Sequence, residues 1–139
     1  MVFNENRLVL AFILFSINSI FAQDRFFNAE EGMYWLSTDL HIHTVFSDGE
    51  VWPSIRVKEA QREGLDLIAI TDHLEYQPHA EDIPHPDRNR SFMIASQMLE
   101  QNDVFKVING SEITREMPPG HINAVFIKDA NKLLHSDSL

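Results

Sequence analysis

Six side chains able to bind a metal or exchange a proton stand at the ends of apolar segments. His41 and His43 are two residues apart in the run Leu36–His43, L-S-T-D-L-H-I-H. On an extended strand, residues two apart leave the same face, about 7 Å apart along the chain, so both imidazoles can reach one ion. Asp39 shares that face and is placed to orient an imidazole as a hydrogen-bond acceptor. Asp48 follows on the turn Phe46-Ser47-Asp48-Gly49. Thr71-Asp72-His73 closes a second apolar segment and Gly110-Ser111-Glu112 a third. His121 opens a fourth after Pro118-Pro119-Gly120, and joins the others if the 113–120 loop folds back over the same rim. Imidazole and carboxylate without thiolate suit Zn²⁺, Mn²⁺ or Fe²⁺ alike. More than four candidate ligands imply more than one ion bridged by a carboxylate, and Glu112 is the candidate bridge.

The elements that must position these groups read as alternating strands and helices. Leu36–His43 reads as a strand. Pro53–Glu63 reads as a helix, with Pro53 in its first turn, an apolar side of Ile55, Val57 and Ala60, and Gly64 as its stop. Leu65–Ile70 has the continuous apolar character of a buried strand. Tyr76–Asp87 holds Pro78, Pro84 and Pro86 and reads as a loop, one wall of a pocket, with His79 and His85 exposed in it. Arg88–Gln101 has helical spacing, Val104–Ile113 reads as a third strand and His121–Ile127 as a fourth. Strand, helix, strand, helix, strand is the order of a parallel α/β sheet, whose carboxyl edge is where such proteins place their sites. Trp35, Phe46, Trp52 and Phe105 read as packing residues.

Composition narrows the function classes. Among 139 residues, 11 Lys and Arg face 21 Asp and Glu, a formal charge of −10 that opposes binding to a phosphate backbone. Cysteine is absent, so neither a disulfide nor a cysteine nucleophile is available. Arg7 precedes the uncharged apolar run Leu8–Phe15, and Ala22 precedes Gln23-Asp24. This is the pattern of a secretory signal peptide over residues 1–22, too short to span a membrane. An exported protein, periplasmic or secreted, without a stable membrane anchor is the expectation.

D-L-H-I-H-T-V-F-S-D-G at Asp39–Gly49, I-A-I-T-D-H at Ile68–His73, G-S-E-I-T at Gly110–Thr114 and G-H-I-N at Gly120–Asn123 together resemble the PHP (polymerase and histidinol phosphatase) family. The resemblance covers roughly residues 34 to 128. It implies a distorted seven-stranded β/α (TIM-like) barrel with two or three metal ions at its carboxyl end. It also implies that His41 and His43 ligate one ion, with Glu112 bridging to a second that His121 ligates. Asp48 and His73 are then ligands of a third or neighbouring ion, and Asp72 supports ligands without being one. A further histidine and a terminal Asp-x-His pair of the family have no counterpart, and His135-Ser136-Asp137 reads as a solvated tail. Residues 23–139 therefore read as the first half of the domain.

The activity so implied is hydrolysis of a small phosphate ester by metal-activated water. Because phosphoryl transfer depends on charge neutralisation, a cation beyond the metals is expected, with Arg115 as first candidate and Arg88 and Arg90 next. Glu112, Asp72 and Arg115 are the residues expected to serve the chemistry, Asp72 by supporting the ligands. Nucleic acid is disfavoured as a substrate by the charge. Two other readings stand: a non-catalytic or vestigial metal-binding fragment, and a metal-dependent hydrolase of non-phosphate bonds.

Overall fold

The computed structural model describes residues 29–101, 103–116 and 120–134. The expected signal peptide and the His135–Asp137 tail lie outside them. Contacts divide the chain into two units, residues 1–35 and 36–139. Of the first, residues 29–35 are described: a turn closed by Met33 N–H to Glu30 O at 2.9 Å, followed by exposed Met33, Tyr34 and Trp35. Trp35 is 54% exposed.

The second unit is a four-stranded sheet, β1 (Thr38–Ile42), β2 (Leu67–Ile70), β3 (Lys106–Ile113) and β4 (Ile122–Val125), in that spatial order. Helix α1 (Pro53–Arg62) connects β1 to β2, α2 (Arg90–Ser96) lies between β2 and β3, and a 3₁₀ turn (Ala130–Leu133) follows β4. β1, β2 and β3 are parallel, as the alternation predicts. β4 runs antiparallel to β3, because the short stretch between them is too brief for a helical crossover. The described sheet and helices accord with part of a β/α barrel.

β2 carries the burial of a strand covered on both faces: Ile68, Ala69 and Ile70 are all fully buried. The core lies between sheet and helices, where Ile42, Ile68 and Ile70 meet Val57 and Ala60 of α1, Ala95 of α2, and Phe105. The inward side of α1 is Pro53, Val57 and Ala60, spaced four and three apart. Ile55 falls off that stripe and is about half exposed, contrary to its expected place on the apolar side. α1 ends where Gly64 takes φ +75°, a conformation glycine adopts without penalty. There Leu65 N–H reaches Ala60 O and Gly64 N–H reaches Gln61 O, the paired bonds of a Schellman stop.

α2 is shorter than the spacing over Arg88–Gln101 predicts. The Ser96 hydroxyl turns back to Met93 O (3.0 Å), and the amides of Met98 and Leu99 pair three residues back, tightening the chain into turns. Met98 and Leu99 still pack against the core, so the apolar spacing marked buried positions beyond the helix itself. Among the described residues, no helix is long and apolar enough to cross a membrane.

Candidate metal centre

β1 does not run true where its two histidines sit. The register with β2 slips by one residue between Asp39 and Ile42, a bulge of the kind that redirects side chains. The two imidazoles converge, with His41 Nε2 and His43 Nε2 only 3.1 Å apart. Asp39 is not the imidazole acceptor expected of it. Its Oδ1 accepts the His41 backbone N–H at 3.0 Å, an amide inside the irregular stretch.

After β1 the chain turns tightly through residues 44–49, with Ser47 N–H and Gly49 N–H both donating to Thr44 O at 3.0 Å. A Cβ on Gly49 would stand 2.7 Å from the carbonyl carbon and oxygen of His43, so a side chain there would force the turn open. Asp72 braces this turn. Its buried carboxylate accepts Thr44 N–H (2.6 Å) and Ser47 Oγ–H (2.7 Å) at Oδ1, and Thr44 Oγ1–H (2.8 Å) at Oδ2. Asp72 therefore spends its acceptors on the turn that carries Asp48.

His73 sits just past β2 and still pairs with β3, through a parallel bridge to Glu112 in which Leu74 N–H donates to Glu112 O at 2.8 Å. This brings the ends of β2 and β3 together. His121 immediately precedes β4 and lies beside the last residues of β3, because the antiparallel return folds it over the same rim.

The result is a buried carboxylate among imidazoles. The Glu112 side chain is 5% exposed, and its Oε2 lies 2.7 Å from His43 Nε2, 3.0 Å from His41 Nε2 and 3.6 Å from His73 Nδ1. Its Oε1 lies 2.6 Å from His121 Nδ1. Asp48 Oδ1 is 2.6 Å from His43 Nδ1, and Asp48 Oδ2 is 3.4 Å from His73 Nε2. Burial on its own would raise the Glu112 pKa. Hydrogen bonds with His41 and His121, and then the charges of His73 and His43, outweigh it and hold the carboxyl below its ordinary value. Asp48 behaves alike: burial pulls upward, while the hydrogen bond and charge of His43 and the charge of His73 bring its pKa down.

Ligand atoms within 4.8 Å of one another form three overlapping groups: His41, His43 and Glu112; His43, Asp48 and His73; and His73, Glu112 and His121. All six expected ligands are thereby assembled. Nitrogen and carboxylate donors converging on shared points are the donor chemistry a divalent ion requires, so the residues fit a metal centre.

The expected phosphate-binding cations are placed differently from one another. Arg115 pairs through Nη1 with Glu75 and donates to Thr114 O at 2.8 Å, while its Nε and Nη2 have no partner among the described residues. Arg88 is spent on backbone carbonyls, Leu74 O and His85 O, both at 2.9 Å. Arg90 donates to Pro84 O and lies over the Phe46 ring, 5.2 Å from its centre. These two arginines fasten the proline-rich loop, and Arg88 lines a small recess together with Asp72 and His73. His85 is a further correction: it is buried, not exposed, with its Nδ1 against Ile83 O and its ring edge-on to Phe46 at 4.8 Å. Phe46 and Phe105 are buried, and Trp52 packs tilted against Phe46 with ring centres 5.2 Å apart, as packing residues should. His79 is exposed.

Three residues around the centre had no role assigned to them from the sequence: Thr44 and Ser47 hold Asp72, and Thr114 touches His73 Nδ1 at 2.7 Å. Tyr76, at the start of the loop expected to wall the pocket, stands edge-on to the His73 ring at 5.7 Å. Thr114 could have been found, since it lies two residues past Glu112 and so shares its face. A cleft of about 310 Å³ opens beside His41 and His43, bordered by Asp39, Arg56, Glu59 and Glu63.

Residues 39–135 match the PHP domain. The chain belongs to the PHP-domain family. It is 36% identical over 84 residues to an uncharacterised protein of Methanocaldococcus jannaschii, covering 60% of this chain and 36% of that one. It is 51% identical to a two-domain protein of Bacteroides vulgatus described as containing a predicted PHP-like metal-dependent phosphoesterase. That likeness has a TM-score of 0.69 and covers 73% of this chain and 29% of that crystal structure's chain. The chain thus spans about a third of the length of these two proteins. In the family's terms, the histidine and carboxylate groups at the strand ends are its metal-binding clusters.

Proposed function

We propose that this chain supplies the metal-binding strands of an exported phosphoesterase that hydrolyses a small phosphate ester. The observation carrying this reading is the buried Glu112 carboxylate, which touches imidazoles from three strand ends. Two or three divalent ions would be held by His41, His43, Asp48, His73, Glu112 and His121, with Glu112 shared between two of them. Divalent ions in such a setting supply Lewis-acid polarisation of a phosphoryl oxygen and a nucleophilic water at neutral pH.

The chain's own residues do the rest. Glu112 stays ionised despite burial and can hold cations through both oxygens. Asp72 keeps the 44–49 turn rigid, so that Asp48 meets His43 and His73 in one arrangement. Arg115 is proposed as the phosphate contact, through the Nε and Nη2 donors that its Glu75 pairing leaves free, with Glu75 fixing its direction. The surplus of acidic residues opposes long-range attraction of anions, and bound cations reverse the field locally. A small ester is therefore favoured over polynucleotide.

The seven-stranded barrel is proposed as the architecture in which these strands work. Export rests on the apolar N-terminal pattern and is tested by the mass of the secreted protein, which should begin at Gln23. The activity is tested by assaying the full chain, with zinc, manganese or iron, against phosphomonoesters, phosphodiesters and carboxylic esters. Hydrolysis of a small phosphate ester, abolished by chelation and restored by one metal, is the expected result. Turnover of carboxylic esters alone would move the assignment to another hydrolase class. Metal uptake without any turnover would make this chain a binding module.

A further inference from the structure

His73 belongs to two of the three ligand groups, one with His43 and Asp48 and one with Glu112 and His121. A neutral imidazole has a single lone pair, so it serves one ion at a time. Which ion it serves depends on which ring nitrogen carries the proton. Resting on the metal-centre reading above, we propose that Thr114 is the positioning residue that makes this choice. Its hydroxyl oxygen accepts the Nδ1–H of His73 and turns the Nε2 lone pair toward Asp48.

The distances are those this arrangement requires, with the Thr114 hydroxyl accepting where it could also donate. Thr114 Oγ1 is 2.7 Å from His73 Nδ1, a good hydrogen bond, whereas Asp48 Oδ2 stands 3.4 Å from Nε2. The buried Glu112 carboxylate, 3.6 Å from Nδ1, adds negative potential on the side where the proton is placed. Both partners are held by backbone. His73 is tied into the sheet by its bridge to Glu112. Thr114 donates its N–H to Glu75 Oε2 at 2.9 Å, and its C=O accepts from Arg115, which pairs with the same Glu75. The ring itself is packed between His43, 4.5 Å away centre to centre, and Tyr76. The Glu75–Arg115 pair thus reaches the metal centre through Thr114, and the hydrogen bond of an outer residue sets the orientation of a ligating imidazole.

The test compares the full chain with Thr114→Val, which keeps the shape but loses the hydroxyl, and Thr114→Ser, which keeps the hydroxyl. Long-range proton–nitrogen NMR reads the tautomer of His73 in the metal-free chain, about two units above the ordinary imidazole pKa of about 6.5. Zinc titration reads the sites. In the wild type and Thr114→Ser, the proton is expected on Nδ1. In Thr114→Val this preference is lost, and the zinc affinity of one site falls about 10- to 100-fold while the others hold. An Nε2–H tautomer in the wild type overturns the proposal, even if Thr114→Val does not fold. So does a Thr114→Val chain with the wild-type tautomer and zinc binding. A wild type that takes up no zinc yet shows the Nδ1–H tautomer, lost in Thr114→Val, would sink the metal-centre reading and support the hold of Thr114 on His73.

Discussion

Replacing Asp72 separates a ligand from a brace. Its carboxylate accepts three hydrogen bonds of 2.6 to 2.8 Å, all from Thr44 and Ser47, in a buried site. A hydrogen bond to a charged group contributes about 1.5–3 kcal/mol against about 1 for a neutral one. In Asp72→Asn the carboxamide oxygen can keep the two bonds at Oδ1 in neutral form. Its NH₂ then faces the Thr44 hydroxyl, which must reverse and already accepts Phe46 N–H at 3.2 Å. The three weakened bonds share one network and do not add fully, so a loss of about 2–3 kcal/mol is expected. Asp72→Ala leaves three buried donors unpaired and should cost about 3–5 kcal/mol. For a domain of this size, the Asn variant should melt roughly 10–20 °C lower. Urea unfolding in the presence of chelator isolates this effect from metal linkage, and Trp52, packed against Phe46 of the turn, reports it by fluorescence. If both variants unfold within about 0.5 kcal/mol of the wild type, the three contacts do not brace the turn and the reasoning fails.

Glu112→Gln keeps the volume but removes the charge shared by the imidazoles, so zinc per chain and any turnover should both fall; wild-type values by elemental analysis and assay would remove Glu112 from the bridge. The lowered pKa values of Glu112 and Asp48 carry a pH dependence of definite sign. Their stabilisation of the metal-free chain is complete above the unfolded-state values of about 4.3 and 3.9 and is lost as pH falls through the lower folded-state values. Urea midpoints measured downward from pH 6 should therefore decline in the wild type and decline less in Glu112→Gln; parallel profiles would contradict the assignment. Gly49→Ala places a Cβ 2.7 Å from the His43 backbone and should cost about 1–3 kcal/mol, with weaker zinc binding at Asp48. An unchanged melting temperature would mean that the turn has room to spare.

How far the sequence could be read depends on how local the cause was. The parallel run of β1, β2 and β3 was legible because alternating apolar and helical segments leave few other arrangements. The candidate ligands His73 and Glu112 were legible because each closes an apolar run, so naming the strand names the rim, whereas Asp48 on its turn and His121 before its strand depended on how the chain returns. The extent of α2 was not, since Met98 and Leu99 keep a buried pattern while the backbone has already tightened into turns. His85 was misread for a related reason: a proline-rich loop reads as exposed, yet Arg88 and Arg90 pull this one down against Phe46.

By itself, the sequence determined the donor chemistry: four imidazoles and two carboxylates, no thiolate, at the ends of four candidate strands. Residue type and a periodicity of two are local properties, and a strand carries them wherever it lies. Only the tertiary structure decided which atoms meet. A bulge in β1 turned His41 and His43 onto one point, and the antiparallel return of β4 brought His121 to Glu112. Thr114, Glu75 and Arg115 became a single linkage to His73. Those outcomes depend on register and on contacts between residues about 40 positions apart. Such contacts are set by the balance of packing and hydrogen bonding over the whole sheet, which no local pattern contains.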